Sequence, residues 1–235
     1  MNNIITYFRQ RYSGIIFWLL PVYILLFAFA PLVKTGSWQV DWLYLCIVLW
    51  VALLALRLFD DLSSSEKDTG KPDRDYTHAH GRKKLYAFVY ILHLAVFVFC
   101  FVTGKLFWAG YAVFILINEV LYLLGKIWPP GMPVLALLKY PFFIIWLEHS
   151  FTPHALLIFL AFVFYEIAED PAFPLGKAWG WLCLAGITGL QVAGDPSHAI
   201  YYLPLGAGIA LLYFTGVKYF EYMMLLWVLG VKIWL

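Results

Sequence analysis

The chain changes from apolar to highly charged along one stretch, Arg57-Leu-Phe-Asp60-Asp61-Leu-Ser-Ser-Ser-Glu66-Lys-Asp68-Thr-Gly-Lys71-Pro-Asp73-Arg74-Asp75. These nineteen residues carry more charge than any other part of the sequence of that length. The apolar run before them is long enough to span a bilayer. The stretch therefore marks a point where the chain leaves a membrane.

The composition indicates the same class of protein. Of the 235 residues, 63% are hydrophobic and only 13% are charged, whereas a soluble domain carries about a quarter charged residues. The net charge of +2 is too small to favour a nucleic-acid partner. We therefore predict an all-α polytopic membrane protein, with membrane lipids as its surroundings.

Nine apolar segments of spanning length follow one another. They lie at 14–33, 39–59, 84–103, 106–125, 130–148, 153–169, 175–193, 198–215 and 218–235. No Ser/Gly-rich linker or low-complexity block separates them. The prediction is one transmembrane domain over residues 1–235, which the family resemblance given below implies to be a helical bundle around a central cavity.

Lysine and arginine predict the orientation, because they are enriched on the cytoplasmic side of membrane proteins. In the loops and at the ends of the segments, eleven of them fall on the side of the N-terminus and three on the other side. The N-terminus and the loop at 60–83 are thus expected in the cytoplasm. Glu148, Asp195 and His198 fall on the opposite side, where we expect them only to end helices.

The charged stretch contains a candidate metal site. Asp61 and Asp68 are seven residues apart, so a continuing helix turns them the same way, with Asp60 and Ser64 beside them. Gly70 and Pro72 are typical of a helix stop. Grouped carboxylates suit Mg²⁺; the alternative is a solvated loop whose acids cap a helix.

A second acidic cluster ends the sixth segment, at Tyr165-Glu166-Ile-Ala-Glu169-Asp170. Glu166 lies three and four residues before the other two acids, so all three share one helical face. The orientation puts this cluster on the same membrane side as the first. Together, the two clusters predict a shared metal site.

Lys139 is a charge in the middle of the fifth segment, followed by Tyr140 and Pro141. Charges at membrane depth are costly and usually functional, although a lysine can also reach an interface with its long side chain. We expect Lys139 to face the acidic clusters and to bind a phosphate or neutralise surplus carboxylates.

These motifs resemble those of the UbiA superfamily of intramembrane prenyltransferases. Asp60-xxx-Ser64-xxx-Asp68 is similar to the family's first motif with its middle acid replaced by Ser. Lys71-Pro-Asp-Arg74 is similar to the loop that follows it, except that Asp75 stands where Pro is usual. Tyr165 with Glu169 or Asp170 resembles the second motif, and Lys139 matches the family's fifth-helix lysine.

The resemblance implies a Mg²⁺-dependent transferase of the bacterial inner membrane, with its active-site mouth in the cytoplasm. It would ionise an isoprenyl diphosphate and pass the prenyl group to a lipophilic, aromatic acceptor. Asp60, Asp68 and Lys139 are implied as catalytic residues. The implied metal ligands are Asp60, Asp61, Ser64, Asp68, Glu166, Glu169 and Asp170, and the implied diphosphate contacts are Arg57, Lys71, Arg74, Lys139 and Tyr165.

Three other functions stay open. A terpene cyclase of the same superfamily would use the substrate's own double bond to capture the cation. A proton-coupled transporter would use the intramembrane acids and Lys139, although the sequence has no internal repeat of the kind that transporters carry. A non-catalytic membrane protein is the third, favoured if Ser64 reflects lost chemistry.

Overall fold

The computed structural model describes residues 4–5, 7–8, 15–30, 41–63, 79–104, 106, 108–128, 131–169, 173–216 and 220–234. Every regular element among these residues is helical, as the composition predicts. The helices are α1 (Ile15–Ala28), α2 (Asp41–Ser63), α3 (Ala79–Thr103), α4 (Trp108–Ile127), α5 (Met132–Leu137), α6 (Lys139–Glu148), α7 (Pro153–Glu169), α8 (Lys177–Gly194), α9 (Ala199–Thr215) and α10 (Phe220–Trp234), with a 3₁₀ helix at Pro196–His198.

Each of the nine apolar segments contains helix, and the bounds agree within a few residues except at three points. α1 ends at Ala28, five residues before the predicted end of the first segment. The second segment continues as α2 to Ser63, so Asp60 and Asp61 belong to the helix itself. The helix after the charged stretch begins at Ala79, five residues before the predicted start of the segment at 84.

Three described helical stretches are long and apolar enough to cross a membrane, namely Trp42–Ser63, Arg82–Thr103 and Pro196–Thr215. Two of them leave much of their apolar surface uncovered, since only 28% of the second and 17% of the third is buried. Exposed apolar faces of this extent suit lipid better than water. These helices are consistent with a membrane protein, and the number of nine crossings stays a prediction.

The chain divides into two compact units, each with its own internal contacts. The first unit comprises Met1–Leu25 and Trp38–Ala112, and the second comprises Leu26–Ser37 and Val113–Leu235. The prediction of one domain over 1–235 stays a prediction.

In the first unit, α2 and α3 pack side by side. The C-terminal part of α2, from Leu49 to Leu62, is buried on almost every face. This is expected of a helix that is apolar on every face. At the end of this pair, the Arg82 guanidinium donates a 3.1 Å hydrogen bond to the carbonyl of Leu62. The end of α2 and the start of α3 are thereby joined beside the acidic pair Asp60 and Asp61.

In the second unit, α7 is the central helix and packs against α6, α8 and α10. Side-chain contacts show that neighbouring helices run in opposite directions. At one end, the Tyr213 hydroxyl near the end of α9 donates to the carbonyl of Lys177 at the start of α8, at 3.1 Å. Tyr165 meets Tyr222 in the same antiparallel manner, near the end of α7 and the start of α10.

The fifth segment is not one straight helix, because α5 and α6 are separated at Leu138. Pro141 provides the reason: it has no backbone N–H, and its ring collides with the carbonyl four residues before it, that of Leu137. The interruption places Lys139 as the first residue of α6. The helix is therefore interrupted directly beside the one lysine predicted to lie at membrane depth.

Candidate functional site

Asp61 is a buried carboxylate at the end of α2, with 4% of its surface exposed. The hydroxyl of Tyr7, itself fully buried, donates to Asp61 Oδ2 at 2.9 Å. Arg57 Nε lies one helical turn away, 3.7 Å from Asp61 Oδ1. Burial of a charge is costly unless it is paired and hydrogen-bonded, and these two contacts meet that requirement.

These contacts are compatible with the predicted metal role of Asp61. A carboxylate has about four lone-pair positions on its two oxygens, so a tyrosine donor and an arginine contact do not by themselves exclude a metal ligand role. Asp60, the next residue on α2, is partly exposed. Arg57 is 43% exposed at its side chain, and its guanidinium can therefore contact a ligand as well as Asp61.

The rest of the first motif and its loop lie outside the described residues. This holds for Ser64, Asp68, Lys71 and Arg74. Within the part of the chain that the structure describes, no group of three or more His, Cys, Asp or Glu side chains could hold a metal ion.

Lys139, in the second unit, is buried as predicted, with 6% of its surface exposed. Its ammonium lies 5.5 Å from the centre of the Tyr140 ring, within the range of a cation–π interaction. The Tyr140 ring in turn stacks on Phe162, with centroids 3.8 Å apart and planes 13° from parallel. An aromatic stack thus joins the start of α6 to the middle of α7.

The stack also sets the register of these two antiparallel helices. Because Tyr140 lies against Phe162, Lys139 comes level with Val163, about one helical turn from Glu166. The lysine and the second acidic cluster are therefore near each other along the axis of α7.

The second acidic cluster occupies the last turn of α7. Tyr165 is 9% exposed, and its hydroxyl donates to that of Tyr222 at 3.3 Å. Glu166 is partly exposed and Glu169 is exposed. Since α7 continues through Glu169, both acids lie on the helix as predicted; Asp170 lies outside the described residues.

No family model, curated protein or solved structure matches the chain. The relation to the UbiA superfamily rests on the motifs quoted above and stays a prediction. The same is true of one Mg²⁺ shared by both clusters, because Asp60 and Asp61 belong to the first unit and the second cluster to the other.

Two tyrosines in the candidate site were missed by the sequence reasoning. Tyr7 lies 54 residues before its partner Asp61, and Tyr222 lies 57 residues after Tyr165. Neither belongs to a motif or a charge cluster, and tyrosine is common in this aromatic-rich chain. The only available signal is that each falls on the predicted cytoplasmic side, as its partner does.

Proposed function

We propose that the protein is a Mg²⁺-dependent intramembrane prenyltransferase. It acts on an isoprenyl diphosphate and transfers the prenyl group to a lipophilic, aromatic acceptor. The observation that carries the proposal is the burial of Lys139 beside the Tyr140–Phe162 stack, on a helix that packs against the acidic α7. A buried cation and grouped carboxylates at one end of an apolar bundle suit a phosphorylated substrate with an apolar tail.

The reaction breaks the bond between the allylic carbon and the diphosphate oxygen, and the diphosphate leaves with the electron pair. The allylic cation then forms a bond with the acceptor, which loses a proton. Mg²⁺, when bound, supplies neutralisation of the leaving group. The residues proposed to hold it are Asp60, Asp61, Ser64, Asp68, Glu166, Glu169 and Asp170.

The remaining residues bind and orient the substrate. Lys139 places a positive charge where negative charge develops on the diphosphate, and Arg57, Lys71, Arg74 and Tyr165 are its further contacts. The stacked rings of Tyr140 and Phe162 next to Lys139 offer aromatic faces, which stabilise a nearby carbocation by the same attraction as other cations. The apolar surroundings exclude water, which would otherwise capture that cation.

The proposed location is the bacterial inner membrane, with the N-terminus and the active-site mouth in the cytoplasm. The charge distribution of the loops supports this orientation.

Product analysis tests the proposal. Purified protein in detergent is incubated with Mg²⁺ and ten-, fifteen- or twenty-carbon allylic diphosphates, with and without a mixture of aromatic acceptors. Prenylated acceptor is the expected product. A terpene hydrocarbon or alcohol formed without acceptor indicates a terpene cyclase instead. The absence of any product excludes both the transferase and the cyclase.

Glu166→Ala provides the matched variant for this assay, because it removes one carboxylate of the second cluster from a partly exposed position. Glu119→Ala is the control: it also removes a partly exposed glutamate, but on α4 and outside either cluster. We expect most of the activity to be lost in the first variant only. Equal activity in both would exclude Glu166 from the site.

The transporter alternative draws on the same buried charges, and in particular on the Asp61 pair with Tyr7 and Arg57. It predicts a different result, namely proton movement across vesicles that contain the protein and no turnover of any diphosphate.

A further inference from the structure

A separate group of charged side chains, centred on Glu148, lies in the second unit. It is at the end opposite to Tyr165 and Tyr222. Glu148 is the last residue of α6, and three side chains approach its carboxylate. Lys232 Nζ donates to Oε1 at 3.1 Å, His154 Nδ1 lies 3.2 Å from the same oxygen, and the Thr152 hydroxyl donates to Oε2 at 2.5 Å. Glu148 therefore does more than end a helix.

The ammonium of Lys232 is enclosed on a second side by an aromatic ring. It lies 4.2 Å from the centre of the Phe27 ring, which is fully buried. The His154 ring meets the same phenylalanine at an angle of 86°. A cation over an aromatic face gains most when water is excluded, and the Lys232 side chain is only 9% exposed.

Four elements of the second unit meet at this point: the end of α1, the end of α6, the start of α7 and the end of α10. The cluster contains one carboxylate and one ammonium, with His154 as a further titratable group. Both charges are desolvated, since the Glu148 side chain is 12% exposed. A buried pair of this kind is not strong evidence for stability, but loss of one partner leaves an uncompensated buried charge.

We propose that Glu148, Thr152 and Phe27 form a binding cage for a primary ammonium group, which the chain fills with its own Lys232. The carboxylate accepts an N–H, the aromatic face covers the positive charge, and Thr152 holds the carboxylate in place. Lys232 is thus a tethered ligand that fixes the end of α10. The cage accepts a free primary alkylammonium when that side chain is removed.

Lys232→Ala opens the cage for a defined probe. It deletes three methylene groups and the ammonium, and n-propylammonium has the same heavy atoms in the same order. We expect Lys232→Ala to lower Tm by about 6 °C or more, because the buried Glu148 carboxylate loses its ammonium partner. Propylammonium chloride should restore at least about half of this loss in comparison with sodium chloride at equal concentration.

Three controls separate a cage from a general salt effect. Tetramethylammonium has the charge but no N–H for Glu148, so it should restore less. Lys177→Ala removes an exposed lysine at the start of α8 and should neither lower Tm nor respond to the amine. In Glu148→Gln/Lys232→Ala the amine should have no effect beyond that of sodium. Equal responses to propylammonium and sodium in Lys232→Ala, or an equal amine response in the double variant, would overturn the proposal.

A cycle of variants keeps the proposal testable if Lys232→Ala does not fold. Lys232→Met retains the length and apolar volume of the side chain, and Glu148→Gln retains the shape of the carboxylate. We expect Glu148→Gln/Lys232→Met to have a higher Tm than Lys232→Met alone. The reason is that Glu148→Gln removes the buried carboxylate charge that has lost its ammonium partner. Strictly additive losses of Tm would show that the two side chains are not coupled and would overturn the cage.

Discussion

Replacement of Lys139 by methionine separates a catalytic charge from a packing residue. Methionine keeps much of the length and the apolar volume of the side chain and removes only the ammonium. Lys139 is 6% exposed at the start of α6, and removal of a buried charge relieves a desolvation cost. We therefore expect the Lys139→Met protein to fold and insert normally.

The expected kinetic loss follows from the charge that develops on the leaving diphosphate. Two unit charges about 4 Å apart interact by about 4 kcal/mol at the effective dielectric constant of about 20 that is appropriate near protein surfaces. Only the part of this interaction that grows between substrate and transition state affects kcat. If about a third of it does, the barrier rises by about 1.4 kcal/mol, which lowers turnover about tenfold.

The assay measures kcat and KM for an allylic diphosphate at saturating Mg²⁺. We expect kcat to fall at least about tenfold with a smaller change in KM, because a contact made mainly in the transition state affects kcat. Lys177→Met is the matched control, since Lys177 is an exposed lysine at the start of α8. Normal kcat in a well-folded Lys139→Met protein would place this lysine outside the active site and refute the reasoning.

Three further predictions concern topology, metal and stability. Reporter fusions after Glu66 and after Asp170 should both report the cytoplasm, because the lysine and arginine bias places both loops there. Activity should depend on Mg²⁺, be abolished by EDTA, and fall by most of its value in Asp68→Ala, which removes a proposed ligand. Tyr7→Phe should lower Tm by about 2–8 °C, since the buried Asp61 carboxylate loses its 2.9 Å donor, a loss of about 1–3 kcal/mol.

Each of these three predictions has a control or a result that would contradict it. If both fusions report the non-cytoplasmic side, the acidic clusters do not face the cytoplasm, and the proposed location of the active site is wrong. Full activity in EDTA would remove the metal mechanism. Tyr44→Phe, at a residue that is 50% exposed on α2, should leave Tm unchanged, and an equal shift in both tyrosine variants would mean that the Asp61 contact contributes nothing.

The sequence was sufficient for the positions of the helices, because long apolar runs and their interruptions are local properties of the chain. It also singled out Lys139 as a charge within an apolar segment, and the side chain is buried; that it faces the acidic clusters stays a prediction. The break at Leu138 could have been anticipated from Pro141, whose effect on the preceding turn is local too.

The partners of the buried charges could not be predicted in this way. Tyr7 reaches Asp61 across 54 residues, and Lys232 reaches Glu148 across 84. Such pairs depend on which helices pack together, and the packing of helices cannot be read from a single sequence. The predicted orientation puts Lys232, one of the three lysines expected on the non-cytoplasmic side, on the same side as Glu148. This reduces the number of candidate partners without identifying the pair.

The central claim is that the protein ionises an allylic diphosphate with the help of Mg²⁺. The most direct measurement is the rate of diphosphate release by the purified protein from a fifteen-carbon allylic diphosphate and from its saturated analogue, which cannot form an allylic cation. The proposal predicts Mg²⁺-dependent release from the allylic substrate alone, and release that is slowed in Lys139→Met. Equal release from both substrates would indicate a phosphatase, and no release from either, with Mg²⁺ and acceptors present, would contradict the proposed function.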